Sequence, residues 1–171
     1  MNTNSFYFCS FPDLEIYKSK WDKWFLGLAE YVSTASKDPS TKVGAVIVDK
    51  DRRVVSIGYN GFPKGVEDSE DRLNNRDLKY QYIVHAERNA LLFANKSSED
   101  CTIYTYPFMP CSVCAGMIIQ SGIKKVISFY EKNSRWVDNF KISSKMFHEA
   151  GVEVVLYEHD FFAYHTGYKH D

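Results

Sequence analysis

The chain has 171 residues, 44% hydrophobic and 25% charged, with a formal net charge of −1, a size and composition that favour one compact globular domain. Its 12 Phe, 12 Tyr and 3 Trp supply large buried areas, while its 4 Cys are too few for a disulfide framework. That charge gives no general footprint for a phosphate backbone, leaving only a local patch, and runs such as Val46-Ile47-Val48 fall far short of the roughly 20 residues of a membrane span.

Met1-Asn2-Thr3-Asn4 has neither a basic n-region nor an apolar h-region, so a soluble, cytoplasmic protein is expected. From Trp21 the apolar residues Trp24, Phe25, Leu28, Val32 and Ala35 recur at helical spacing. The run stops at Ser36-Lys37-Asp38-Pro39, where proline disfavours helix in the residue before it. Val43–Val48 and Val54–Ile57 are short β-branched runs joined by Asp49-Lys50-Asp51-Arg52-Arg53, which predicts a hairpin. From Asn60 to about Gln81 there is no sustained periodicity, only Gly61, Pro63 and Gly65 followed by the acidic Glu67, Asp68, Glu70 and Asp71. A loop of that length is usually functional or disordered.

Beyond it the pattern predicts a helix from about Val84 to Asn95, a strand at Cys101–Tyr106, and a helix from Cys111 to Ser121 closed by Gly122. A strand at Lys125–Phe129, a helix near Asn139–Ala150 and a strand at Val152–Tyr157 follow. Strands separated by helices demand parallel neighbours. The expected fold is therefore α/β: a mixed five-stranded sheet, an N-terminal antiparallel hairpin continued by parallel strands, with helices on both faces. One domain over 1–171 is expected, with a core at about 21–157 and a tail, 158–171, whose Phe161-Phe162-Ala163-Tyr164 covers core or a subunit interface.

Two helix starts carry the reactive side chains, His85-Ala86-Glu87 and Pro110-Cys111-Ser112-Val113-Cys114, and the strand between them brings them together. Cys111 and Cys114, three apart, share one helix face, and Pro110 suits a position whose N–H is not needed. With His85 they offer three ligands; a structural zinc site would want a fourth protein ligand, so three point to a catalytic zinc with one open position. Zinc lowers the pKa of its water towards neutrality, making hydroxide available to attack an electron-poor carbon. Glu87, two residues from the histidine, is placed to carry the proton to a ring nitrogen and the leaving amine. Cys9 and Cys101 stand alone and are expected to be structural. Taken singly, each piece has a blander reading: a core histidine, a redox C-x-x-C, a glutamate favouring the helix dipole.

H-x-E followed by P-C-x-x-C is the signature of zinc-dependent nucleobase deaminases, and from about Trp21 to Tyr157 the sequence resembles the deoxycytidylate (dCMP) deaminase family of the cytidine deaminase superfamily. The resemblance is also carried by Ser36-Lys37-Asp38-Pro39 leading into Val43-Gly44-Ala45, by Gly58-Tyr59-Asn60-Gly61-Phe62-Pro63-Lys64-Gly65, by Lys79-Tyr80, and by Ile118–Ile127. It implies a three-layer cytidine-deaminase-like fold, hydrolysis of dCMP to dUMP and ammonia for thymidylate synthesis, one catalytic Zn2+ per chain, and a homo-oligomer, often a hexamer. It further implies that Asn60 holds the sugar and that the Ala86 N–H addresses the pyrimidine carbonyl. Gly58, Tyr59, Asn60 and Gly61 resemble the element that recognises an allosteric nucleotide, dCTP with Mg2+ as activator and dTTP as inhibitor. Turn chemistry alone leaves Asn60-Gly61 equally readable as an ordinary turn. Lys37 and Lys64, in loops flanking the hairpin, are candidates for the substrate phosphate. Pro107 departs from the family, which more often has Ser or Thr there.

Three alternatives remain at this level. A polynucleotide deaminase acting on tRNA or single strands would use the same zinc and glutamate, but the charge argues against a polyanion substrate. A free cytidine deaminase would join its last two strands by a short antiparallel link, where this chain has a helical segment. A non-catalytic zinc-stabilised nucleotide-binding module would have no use for Glu87 beside an open position.

Overall fold

The computed structural model describes residues 20–131 and 135–159. Helix α1 (Lys20–Ser33) leads into the hairpin β1 (Gly44–Val48) and β2 (Val54–Tyr59). Then come α2 (Glu70–Asn74), α3 (Arg76–Tyr82), α4 (Ala86–Leu92), β3 (Thr102–Tyr106), α5 (Ser112–Gln120), β4 (Lys125–Phe129), α6 (Val137–Glu149) and β5 (Glu153–Tyr157). The strands form one sheet in the order β2-β1-β3-β4-β5. Strand β1 is antiparallel to both β2 and β3, whereas β3, β4 and β5 run parallel, as the helical crossovers require. The mixed sheet expected from the sequence is the one that forms.

Alternation along the strands sends neighbouring side chains to opposite faces. Val46, Val48, Tyr104, Ile127 and Phe129 meet Phe25, Leu26, Ala29 and Val32 of α1. Ala45, Ile47, Ile103 and Val126 meet Ala86 and Ala90 of α4, Ala115 and Ile118 of α5, and Phe140 and Phe147 of α6. Two glycines set how closely the helices approach. A Cβ on Gly44 would collide with the Ala29 carbonyl of α1, and one on Gly58 with the Ala86 carbonyl and the Ala90 N–H of α4.

The stretch from Asn60 to Gln81, expected as an irregular loop, contains α2 and α3. With 5 and 7 residues each is too short to show an apolar period, and local capping helps define the second: the Asn75 side chain accepts the Leu78 N–H at 3.1 Å. The helix expected from about Val84 begins at Ala86, because Val84 is engaged in an antiparallel bridge with Gly61. Cys9 and the aromatic tail at Phe161–Tyr164 lie outside the described residues. Among the described residues no helix is long and apolar enough to cross a membrane.

Candidate active site

The Gly61–Val84 bridge, with N···O distances of 3.1 and 2.8 Å, ties the end of β2 to the residue before His85. Asn60 and His85 thereby line one cleft. His85 is the N-cap of α4 and Cys111 the N-cap of α5. Both helices pack on the same sheet face, so their N-terminal ends meet there. The His85 Nδ1 atom lies 3.5 Å from Cys111 Sγ and 3.4 Å from Cys114 Sγ, and the ligand atoms of the three residues all fall within 4.8 Å of one another. A tetrahedral ion with Zn–S of about 2.3 Å and Zn–N of about 2.0 Å would hold sulfur and nitrogen roughly 3.5 Å apart. The donor set and its spacing therefore fit zinc.

In the protein alone these groups share protons. Hydrogen bonding from Cys114 and His85 pulls the Cys111 thiol down to about 3, and the Cys111 sulfur in turn raises His85. The Cys111 hydrogen bond and burial push Cys114 up. A bound metal cation would hold both sulfurs as thiolates.

Glu87, in the first turn of α4, is 4% exposed. Burial raises its carboxyl above the usual range. Its Oε2 has no hydrogen-bond partner among the described residues. Buried carboxylate oxygens are normally satisfied, and one left open beside a metal-ligand set is a group kept for something that enters the cleft. Ala86 is the first residue of α4, so its N–H has no acceptor within the helix.

The cleft is also lined by residues with no role assigned from sequence: Asp38, Lys79, Tyr80, Arg135 and Trp136, with Phe108 and Phe140 supplying apolar wall. Asn60, 4% exposed, sits in the cleft wall with its amide engaged: Oδ1 accepts the Val43 N–H at 2.8 Å and Nδ2 donates to Thr41 O at 2.9 Å. Lys37 and Lys64 are not part of the lining; Lys37 extends into solvent and pairs with Asp68 at 2.8 Å, and Lys64 is exposed. Gly58 fits against α4, Tyr59 is half-exposed, and the Tyr59 carbonyl accepts the Asn89 side chain at 2.8 Å. Cys101 is buried away from the ligand set. The run Ser36–Pro39 and the pair Lys79-Tyr80 were visible in the sequence as strings, but the charge pair linking them spans 41 positions and has no local signal.

Comparison with known proteins agrees with this geometry. An uncharacterized deaminase of Aliivibrio fischeri is 50% identical over 139 residues, covering 80% of this chain and 92% of that protein. The human deoxycytidylate deaminase is 42% identical over 121 residues, 66% of each chain, and the probable deoxycytidylate deaminase of Caenorhabditis elegans is 47% identical over 130 residues, 74% of this chain and 64% of that one. The alignments thus span just under two thirds of the length of these two animal relatives. The crystal structure of the dCMP deaminase of cyanophage S-TIM5 in complex with dCMP and dUMP superposes with a TM-score of 0.64 at 28% identity, covering 86% of this chain and 100% of that one. Residues 19–130 match the family model for the cytidine and deoxycytidylate deaminase zinc-binding region, and the chain belongs to that family.

Proposed function

We propose that this chain is a single zinc-dependent deaminase domain that hydrolyses dCMP to dUMP and ammonia, supplying dUMP for thymidylate synthesis. The observation that carries the reading is the open Oε2 of Glu87 in the cleft beside His85, Cys111 and Cys114. One zinc would be held by His85 Nδ1 and the two sulfurs, and when bound it lowers the pKa of a coordinated water towards neutrality. Glu87 Oε2 takes the proton of the water that adds to the ring carbon bearing the amine. It returns that proton to the ring nitrogen, then carries the proton of the new hydroxyl to the amine, so that the carbon–nitrogen bond breaks with release of ammonia as the carbonyl forms. The Ala86 N–H receives the pyrimidine carbonyl, and Asn60 meets the sugar. Phe108 and Phe140 restrict water around the base.

For the phosphate, Arg135 is better placed than Lys37 or Lys64. Of the cations lining the cleft among the described residues, Lys79 is buried against Asp38, whereas Arg135 is exposed at the rim, where it donates to Tyr80 Oη at 2.8 Å and lies over the Trp136 ring. Its fork of donors suits a phosphate. The resemblance also supports a homo-oligomer, a hexamer in related enzymes, and control by dCTP with Mg2+ as activator and dTTP as inhibitor, with Gly58, Tyr59, Asn60 and Gly61 at the regulatory nucleotide.

Ammonia release from dCMP, deoxycytidine, dCTP and a single-stranded oligonucleotide, each with and without dCTP and Mg2+, tests the reading. Turnover of dCMP by protein carrying one zinc per chain is expected, with loss of activity on chelation. Turnover of the oligonucleotide alone would reassign the substrate, and a zinc-loaded protein turning over none of them would be a binding module. Arg135→Met should raise KM for dCMP about tenfold, the worth of a charge-assisted hydrogen bond, without weakening turnover of deoxycytidine.

A further inference from the structure

The cleft that holds Glu87 is also lined by a buried ion pair that the reaction itself does not use. Lys79, from α3, is 3% exposed and Asp38, from the loop after α1, is 6% exposed. The Lys79 Nζ donates to Asp38 Oδ1 at 2.8 Å and to Ser40 Oγ at 3.0 Å. Asp38 Oδ1 also accepts the backbone N–H groups of Ser40 at 2.8 Å and Thr41 at 3.3 Å. Its other oxygen, Oδ2, accepts Nδ2 of Asn60 at 3.3 Å. Two charges taken out of water are retained only where hydrogen bonds compensate them, and here the compensation runs straight into Asn60.

The consequence concerns which way round the Asn60 amide sits. An asparagine side chain presents a carbonyl oxygen on one side and an NH2 on the other, and either orientation fills the same volume. The two hydrogens of Nδ2 are taken by Asp38 Oδ2 and Thr41 O, and one lone pair of Oδ1 by the Val43 N–H. The Ser36 hydroxyl donates to the backbone carbonyl of Asn60 at 2.8 Å and leaves the amide untouched. What Asn60 has left for a ligand is the second lone pair of Oδ1, an acceptor. We propose that Lys79 and Asp38 are positioning residues: with the Val43 N–H and the Thr41 carbonyl, the buried pair holds the Asn60 amide so that the cleft presents an acceptor and selects a ligand with a hydroxyl donor there. The proposal rests on the reading that Asn60 meets the sugar of the substrate.

Lys79→Met alone leaves the Asp38 carboxylate buried without its cation and is a poor test if the variant does not fold. The double substitution Asp38→Asn with Lys79→Met removes both charges together and keeps the shapes. Its new amide can still accept the Ser40 and Thr41 N–H groups through one oxygen, which turns its NH2 towards Asn60 Nδ2. Donor then faces donor at that contact, and only the Val43 N–H and Thr41 carbonyl still hold the orientation.

The readout is the ratio of kcat/KM for dCMP to that for 2′,3′-dideoxycytidine 5′-monophosphate, measured with zinc content and the urea midpoint. Wild type should prefer dCMP by about tenfold or more, since a site built for a hydroxyl rejects the analogue lacking it. The zinc-loaded, folded double variant should lose part of that preference, the ratio dropping about threefold, on the order of one neutral hydrogen bond. A merely structural role would lower both substrates together and leave the ratio where it was, which overturns the proposal. A wild type that shows no preference for the hydroxyl removes the sugar reading of Asn60 and the positioning role with it, whereas an undiminished preference in the variant removes only the positioning role.

Discussion

The two faces of the sheet are packed by the same rules and used differently. Against α1 the core is aromatic and aliphatic, with Phe25, Phe129 and Tyr104 in contact with β-branched side chains of β1 and β4. Its polar atoms find partners: the hydroxyls of Tyr104 and Tyr157 both donate to Asp22, each at 2.9 Å. Against α4 and α5 the packing includes the small Ala86, Ala90 and Ala115 beside larger side chains such as Ile118 and Phe147, and two helix N-terminal ends converge on one cleft. There a buried carboxylate oxygen has no hydrogen-bond partner among the described residues, and three potential ligand atoms crowd together. One face stores stability, while the other accepts unsatisfied groups because a metal and a substrate complete it.

Substitutions on the two faces should therefore separate activity from stability. Glu87→Gln, which keeps the shape and removes the proton carrier, should lower turnover by about 10²- to 10⁴-fold, the usual worth of general acid–base catalysis, while zinc content stays at one per chain. Appreciable turnover in this variant would refute the shuttle. Phe129→Ala on the opposite face, where the ring is 1% exposed, should cost about 3–5 kcal/mol of unfolding free energy in urea. Turnover per folded molecule should survive, and a loss of kcat at full folding would show that the faces are coupled.

A smaller and sharper contrast comes from the glycines. Gly44→Ala pushes α1 outward and Gly58→Ala pushes α4 outward, because each new Cβ meets helix backbone that cannot rotate away. Overpacking of this kind costs about 1–3 kcal/mol, so similar urea shifts are expected. Only Gly58→Ala should also raise KM and lower kcat, because Ala86 and Glu87 ride on α4. Equal kinetics for both variants would mean that the cleft tolerates movement of its own helix.

What was readable in the sequence follows the range of the interactions. The β-branched runs, the helix starts and the pairing of H-x-E with P-C-x-x-C are local patterns, and they place the strands, α4, α5 and the three residues of the candidate metal site. Helices α2 and α3 escaped because one and two turns carry no period, and because part of what fixes α3 is the reach of Lys79 to Asp38, 41 positions away. Gly58 stood out in the sequence only as part of a string resembling a nucleotide-recognising element, and the close packing of α4 that needs its missing side chain has no local signal. Arg135 carries no motif, and only the fold brings it to the rim beside Tyr80, 55 positions earlier in the chain.

The smallest expected effect tests the claim that the α1 face is satisfied as well as dry. Burial, followed by the Asp22 carboxylate, raises the Tyr104 hydroxyl, and burial, followed by Glu30, pushes Tyr106 up to about 12. Unfolded phenols ionise near pH 10, at about their model value. Below that pH both states hold their protons and these groups make stability independent of pH. Above it the unfolded chain releases protons that the folded chain retains, so the unfolded state is favoured increasingly as pH rises from about 10 through about 12. Urea midpoints measured from pH 8 upward should be flat and then fall. Tyr104→Phe removes one of the retained protons and should flatten the fall, at the cost of one hydrogen bond, about 1 kcal/mol at neutral pH. If the variant loses stability in alkali as steeply as wild type, the proton that matters is not on the α1 face, and the contrast between a closed face and an open one would need another explanation.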